Sequence, residues 1–197
     1  LPVEFPTSMK MLDLSMPVHE RMPVFPGDPA PSFTTATHNG ITCSEVSLSL
    51  HSGTHVDAPL HVFPQGAGAA GGFISGPACV VAVNEPSVTL DIVRSWPLRR
   101  RDRVLVKSSR PHCRIELPAA RELVDVHRIL LLGLGFLSPD DIQDTGLPVH
   151  RFLLENGVIL VENLFLDAAL PGRYHLHLGW PSFPGREAAW VKAVLTW

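Results

Sequence analysis

Residues 51–61 read HSGTHVDAPLH and bring three imidazoles and one carboxylate together in a short segment. Before it, apolar and polar residues alternate, which predicts a half-buried strand over 44–51 with its final imidazole on the polar face. If the chain is extended after the Ser-Gly-Thr bend, the side chains of His55, Asp57 and His61 lie on one face. Imidazole and carboxylate groups are ligands of divalent ions, so the segment predicts a metal centre.

The length and composition indicate a folded protein with a substantial core. The chain has 197 residues, of which 45% are hydrophobic and 18% are charged, and this excludes an intrinsically disordered chain. The net charge is -3. A basic cluster at residues 99–103 is interrupted by Asp102 and is interpreted as a solvated loop, with a phosphate or subunit contact as the alternative. Without a broad basic field, we expect no nucleic-acid partner and no membrane partner.

Short apolar runs and helix signals alternate along the second half of the chain. Strands are predicted over 44–51, 78–83, 103–108, 128–133, 158–165, 174–180 and 188–197. Helices are predicted after the N-cap candidates Thr89 or Asp91, at Pro118, after the pair Ser138 and Pro139, and over 148–156. This alternation predicts an α/β fold, a single domain over 1–197 with one mixed sheet. Residues 1–8 are interpreted as an appended or flexible arm.

The cysteines and the N-terminal segment bear on the cellular compartment. Cys43, Cys79 and Cys113 are odd in number and lack the C-x-x-C spacing of a zinc finger, so no disulfide framework is expected. The N-terminal segment lacks the basic and apolar regions of a secretory signal, and proline and glycine interrupt the uncharged stretch 58–84. We therefore expect a cytoplasmic protein without a membrane span.

The segment 51–61 closely resembles the signature H-x-G-T-H-x-D-x-P-x-H of the cyclase-like metal hydrolases, a family that includes bacterial kynurenine formamidases and isatin hydrolases. The resemblance extends to both sides of the motif. Residues 11–29, MLDLSMPVHERMPVFPGDP, are similar to the family's opening strand and aromatic-Pro-Gly-Asp loop. Residues 148–164, PVHRFLLENGVILVENL, resemble the segment that supplies further ligands.

The resemblance implies a swivelling β/β/α fold, two divalent metal ions per chain, and assembly as a homodimer or larger homo-oligomer. The ligand types suit Zn²⁺ and Mn²⁺ comparably. By position, the first ion is implied to be held by His51, His55 and Asp57. Asp57 bridges to a second ion held by His150 and Glu162. His61 is implied to be the catalytic general acid and base, and Phe25 to line the pocket for a small-molecule substrate.

The local sequence around Glu162 and His150 gives indications about these two ligands that are independent of the family resemblance. Glu162 interrupts the apolar run VILVENLF, where a carboxylate is costly unless it is paired or bound to a metal ion. A carboxylate at the edge or end of a strand is the alternative. His150 follows Pro148 at a predicted helix start, where a surface histidine is the default interpretation.

The substrate pocket is expected to depart from that of the formamidases. Gly135 and Phe136 stand where a Gly-Ile-Asp-Thr pattern has an Asp and a Thr, so we expect fewer polar contacts. Phe25, Phe136 and the Gly/Ala stretch 66–72 are predicted to form an apolar mouth over the metal ions. The predicted activity is hydrolysis of a small amide, formamide or cyclic amide. Metal-dependent cyclisation or dehydration, and a non-catalytic metal-binding module, are the alternatives.

Overall fold

The computed structural model describes residues 10–110 and 112–197, and the predicted arm at 1–8 lies outside them. The strands are β1 (Met11–Asp13), β2 (Ser32–His38), β3 (Ile41–Ser47), β4 (His55–Asp57), β5 (Gly72–Val83), β6 (Ser87–Val88), β7 (Arg103–Ser108), β8 (Arg114–Ile115), β9 (Leu131–Leu134), β10 (Ile159–Glu162), β11 (Gly172–Trp180), β12 (Ala188–Trp190) and β13 (Lys192–Thr196). The helices are α1 (Leu90–Ser95), α2 (Leu117–Arg121) and α3 (Pro148–Glu155). A 3₁₀ turn covers Pro59–His61, and a π-helical turn, Glu122–Val126, continues α2.

A nine-stranded mixed sheet organises the fold, in the order β1-β13-β11-β5-β7-β9-β10-β4-β12. The four strands β5, β7, β9 and β10 are parallel to one another, and the remaining pairs in this sheet are antiparallel. Parallel neighbours need crossover connections, and helices supply several of these. The predicted α/β fold with one mixed sheet is confirmed.

Both faces of the central strands are buried, which explains their continuous apolar sequences. On β7, Val104 and Val106 pack under the helices, whereas Leu105 points to the opposite face. That second face packs against residues from both ends of the strand order, such as Val56 on β4 and Leu195 on β13. The sheet therefore curls on itself and encloses an apolar layer.

Helix ends follow the local signals at two of the predicted places. The side chain of Thr89 accepts a hydrogen bond from the amide of Ile92 and caps α1. Helix α3 begins at Pro148 and ends before Gly157, which has a positive φ of 70°. The predicted helix after Ser138 is wrong. The hydroxyl of Ser138 accepts a hydrogen bond from the amide of Asp140 in a local turn, and the chain stays irregular until α3.

Two expectations for the chain around 51–61 are corrected. The strand before it is β3, which ends at Ser47, and every residue of β2 and β3 is exposed rather than half-buried. His51 therefore lies in a bend. After β4 the chain does not stay extended, because a 3₁₀ turn begins at Pro59 and carries His61. Among the described residues, no helix is long and apolar enough to cross a membrane.

Candidate metal centre

Strand β4 places two of the motif residues on one face of the sheet beside β10. His55 and Asp57 are two residues apart on β4, so their side chains share a face. The register puts Glu162 of β10 directly opposite His55. All three side chains are buried. The sheet register thus joins a carboxylate from the second half of the chain to the motif.

A tight bend brings His51 back over the start of β4. Gly53 has a φ of 73°, a left-handed conformation that favours glycine. The carbonyl of Gly53 accepts a hydrogen bond from Nδ1 of His55 at 2.9 Å, which directs Nε2 of His55 toward the carboxylates. The hydroxyl of Thr54 donates to the carbonyl of Asn163 at 2.6 Å and accepts from the amide of Met16 at 2.8 Å. Thr54 therefore ties the bend to the end of β10.

Helix α3 supplies His150 from its first turn, and a buried carboxylate orients it. Asp140 accepts hydrogen bonds from the amides of Val149 at 2.8 Å and of His150 at 3.0 Å. It also accepts from Nδ1 of His150 at 2.7 Å. This pairing leaves Nε2 of His150 facing the other carboxylates, which is the usual arrangement around a metal-ligating histidine.

The two carboxylate oxygens of Asp57 face different histidines. Oδ1 is 3.2 Å from Nδ1 of His51 and 3.5 Å from Nε2 of His55. Oδ2 is 3.4 Å from Nε2 of His150. Glu162 also faces both sides, with Oε2 3.3 Å from His55 and Oε1 3.2 Å from His150. Asp57 is thus the shared member of two groups of donor atoms.

This donor set fits divalent metal ions. Both oxygens of Asp57 and Oε1 of Glu162 are buried and make no hydrogen bond among the described residues. The imidazole nitrogens that contact these oxygens at 3.2–3.5 Å lack hydrogen-bond geometry, and a buried carboxylate is costly unless it is well paired or bound to a cation. Ligand atoms about 2.1 Å from one tetrahedral ion lie about 3.4 Å apart, and the contacts of Asp57 match this spacing. In two groups of possible ligands all the donor atoms lie within 4.8 Å of one another; they are His55, Asp57 and Glu162, and His51, Asp57 and His61.

The ionisation of the cluster follows from its charges. Burial lowers the pKa of His55, but the nearby carboxylates of Asp57 and Glu162 outweigh this effect and raise the pKa to about 10. Burial also lowers the pKa of His150, but the neighbouring carboxylates outweigh this effect and raise its pKa well above the usual value, with Asp140 contributing most. Burial raises the pKa of Asp57, but the neighbouring histidines hold it well below its usual range. Asp57 is therefore ionised and attracts cations.

His61 stands at the edge of the cluster. Its ring centroid is 4.5 Å from that of His51 and 5.4 Å from that of His150. Burial lowers the pKa of His61, so the neutral form predominates at pH 7. Its side chain makes no hydrogen bond to other described residues. His61 is therefore close to the cluster and free to contact a small molecule.

A cavity of about 240 Å³ opens onto the cluster. Phe25 is half-buried and lines it. The other side chains of the wall are apolar or short and polar; they are Asp28, Leu137, Ser138, Ile142, Asp144, Thr145, Leu147 and Asn163. None of the described lining residues is Lys or Arg. The cavity suits a small molecule with an apolar body.

The structure corrects two predicted members of the pocket wall. Phe136 is 3% exposed and packs in the core under the helices, away from the cavity. The stretch 66–72 lies away from this cavity too, and Gly68 and Ala69 line a different depression near Trp180. The predicted apolar mouth is therefore formed by Phe25 and the loop 137–147 instead.

Two residues that organise the site were missed by the sequence analysis. Thr54 belongs to the motif, but its spacing alone does not reveal the carbonyl that it binds. Asp140 lies in the sequence Ser-Pro-Asp-Asp, which mimics a local helix start and hides its role in capping α3. A signal that could have found it is the absence of a capping side chain at Leu147, directly before α3.

Comparisons with known proteins match nearly the whole chain. The model of the Cyclase family matches residues 12–141. The kynurenine formamidase of Salinibacter ruber is 34% identical, over 95% of this chain and 97% of that protein. A structure described as a predicted metal-dependent hydrolase from Bacillus stearothermophilus is 29% identical, with a TM-score of 0.82 over 96% of this chain and 99% of the other. Isatin hydrolase A from Labrenzia aggregata has the same fold, with 19% identity and a TM-score of 0.80 over 95% and 93%.

Proposed function

The chain belongs to the Cyclase family, and on this premise we propose that it is a metal-dependent hydrolase of a small amide, formamide or cyclic amide. One observation carries the proposal. Three buried carboxylate oxygens, two from Asp57 and one from Glu162, make no hydrogen bond among the described residues and lie 3.2–3.5 Å from the nitrogens of three histidines that line the cavity. Relatives named kynurenine formamidase supply the class of reaction.

The proposed ligand sets follow the two sides of Asp57. His51, His55 and Oδ1 of Asp57 hold one ion, and His150, Glu162 and Oδ2 of Asp57 hold a second. Zn²⁺ and Mn²⁺ both suit these donors. When bound, such ions act as Lewis acids toward water and toward a substrate carbonyl.

Elemental analysis of purified variants tests the ligand sets. Asp57→Ala is expected to lose both ions because it removes the shared ligand. Glu162→Ala is expected to weaken mainly one ion. Asp125→Ala is a matched control, since Asp125 is an exposed carboxylate on the π-helical turn outside the site. Full metal occupancy in Asp57→Ala would overturn the assignment.

His61 is proposed to carry the proton during hydrolysis. It lines the cavity beside the cluster, so it is placed to take a proton from the attacking water and pass it to the leaving nitrogen. His61→Ala is expected to keep its metal and lose about 10²-fold or more in kcat. Loss of metal without a specific loss of rate would make His61 a ligand, as its closeness to His51 and Asp57 would allow.

The substrate is proposed to be flat, largely apolar and not anionic. Phe25 and Ile142 offer apolar surface, whereas Asp28 and Asp144 add negative charge to the wall. The amino-acid end of N-formylkynurenine is zwitterionic: Asp28 or Asp144 can pair its ammonium group, but no Lys or Arg of the described lining pairs its carboxylate. We therefore expect simple aryl formamides or isatin-like cyclic amides to react at least as well. A preference of about 10²-fold for N-formylkynurenine in kcat/KM would refute this, since it amounts to about 2.7 kcal/mol.

Isotope labelling separates hydrolysis from cyclisation or dehydration. In H₂¹⁸O, hydrolysis of a formamide incorporates one labelled oxygen into formate, as mass spectrometry would detect. Loss of water from the substrate without incorporation would favour the cyclase or dehydratase alternative.

A homodimer or higher homo-oligomer is proposed as the functional assembly. The hairpin of β2 and β3 exposes both faces, including Phe33, Ile41 and Val46, and an isolated hairpin is marginally stable in water. A second copy that packs on this hairpin would stabilise it. Ile41→Lys is expected to lower the mass measured by light scattering, and a wild-type monomer would overturn the proposal.

The free thiols of the three cysteines fit the proposed cytoplasmic location.

A further inference from the structure

The outer face of β11 carries a histidine pair that the proposed active site does not use. His175 and His177 alternate with Leu176 and Leu178, which are buried in the enclosed apolar layer. The two imidazoles therefore point outward, on the opposite face of the sheet. In the sheet, β5, β7 and β9 separate β11 from β10, which carries Glu162. The pair is thus distinct from the candidate metal centre.

The two imidazoles converge on one hydroxyl of the neighbouring strand. Oγ of Ser75 on β5 lies 2.8 Å from Nε2 of His175 and 3.1 Å from Nδ1 of His177. The ring centroids are 4.8 Å apart. A serine hydroxyl has one proton, so it donates to only one of the two nitrogens. Two imidazole nitrogens directed at one point are the arrangement that chelates a metal ion.

A second contact orients His177 for this role. Nε2 of His177 lies 3.1 Å from the hydroxyl of Thr196 on β13, and Thr196 is buried. When Nε2 carries the proton and donates to Thr196, the lone pair of Nδ1 is directed toward the point that His175 shares. Metal-ligating histidines are usually oriented by such a hydrogen bond on the other ring nitrogen.

We propose that His175 and His177 form a surface binding site for a late first-row divalent ion, with the hydroxyl of Ser75 beside it. Imidazole donors suit Cu²⁺, Ni²⁺ and Zn²⁺, whereas Mg²⁺ and Ca²⁺ prefer oxygen ligands. Among these ions Cu²⁺ binds nitrogen ligands most strongly, so it is the probe of choice. The site has open coordination positions because only two side-chain nitrogens serve it.

Copper titration of the zinc-loaded protein tests the site. Frozen-solution electron paramagnetic resonance is expected to show one Cu²⁺ with nitrogen ligands in the wild type that the His175→Ala, His177→Ala double variant lacks. Zinc released during the titration is measured with a chromogenic chelator, which distinguishes copper bound at this site from copper that displaces zinc at the candidate metal centre. His38→Ala is the matched control, because His38 is an exposed strand histidine on the hairpin.

Ser75→Ala distinguishes chelation from a structural role of the three side chains. It removes the hydroxyl but leaves both imidazoles, so copper binding is expected to persist within about threefold, a difference of about 0.7 kcal/mol. Each single histidine variant is expected to weaken binding at least tenfold. The proposal is overturned if the double variant binds the same number of copper ions with the same spectrum as the wild type. It is also overturned if Ser75→Ala abolishes binding in a protein that melts like the wild type.

Discussion

Replacing Asp140 with Asn tests whether an oriented histidine is needed at the metal centre. Asp140 is 4% exposed and accepts three hydrogen bonds, two of them from His150 and one from the amide of Val149. The amide of Asn has only one acceptor oxygen, so one side of this arrangement must lose its partner. When the amide nitrogen faces His150, the ring has to present a lone pair at Nδ1. The proton then moves to Nε2, which faces Asp57 and Glu162.

The expected cost has two parts. Loss of the orienting carboxylate is expected to weaken metal binding about 10- to 100-fold. This is the usual effect of removing a group that hydrogen-bonds the free ring nitrogen of a metal-ligating histidine. A buried donor left without a partner costs about 1–3 kcal/mol of stability, and loss of the cap of α3 costs about 1 kcal/mol more in Asp140→Ala. The Ala variant is therefore expected to melt below the Asn variant, and both below the wild type.

Metal affinity is measured by competition with a chromogenic chelator, and stability by thermal unfolding of chelator-treated and metal-loaded protein. Asp141→Asn is the matched control, because Asp141 is exposed and contacts Arg114 and the amide of Gln143 instead. Its metal affinity is expected to stay at the wild-type value. If Asp140→Asn binds metal within about twofold of the wild type, Asp140 does not orient His150 for metal binding, since that role predicts a larger loss.

Three further results are expected. Removing metal with a chelator should lower the stability by about 4 kcal/mol when the wild type had been saturated at about 1,000 times Kd; a melting temperature that neither falls nor recovers with Zn²⁺ or Mn²⁺ would contradict the fitted donor set. Thr54→Val should cost about 1–3 kcal/mol because the carbonyl of Asn163 loses its donor, and Thr54→Ser should restore most of it in chemical denaturation. Asp102→Ala should cost about 2 kcal/mol, less than for a fully buried pair, because Arg173 is partly exposed. Asp13→Ala, which removes an exposed pair, should cost under about 1 kcal/mol, and equal losses would refute this ranking.

Much of the fold could be predicted where the local pattern has one physical cause. The apolar runs at 103–108 and 128–133 correspond to β7 and β9, whose faces are both buried, and Thr89 caps α1 as expected. The alternation of apolar and polar residues before His51 led to the wrong prediction of a half-buried strand, because the residues of β3 are exposed on both faces. Periodicity describes how side chains alternate and does not reveal whether any partner covers them.

The candidate site shows the same division. His51, His55, Asp57 and His61 are near in the chain, so the spacing of the motif was enough to predict that they cluster. His61 reaches the cluster through a 3₁₀ turn rather than an extended strand, and the prediction of proximity held despite the wrong conformation.

The sequence by itself determined which residue types could bind metal ions and which four of them are close, because covalent connectivity limits how far neighbours can separate. The family resemblance implied His150 and Glu162 as further ligands, but only the tertiary structure decided how these distant groups reach the cluster. The antiparallel register of β4 and β10 sets Glu162 opposite His55, and a shift of one residue would turn that carboxylate to the other face. Likewise, the packing of α3 brings His150 and its partner Asp140 to the site, and Phe136 is taken into the core instead.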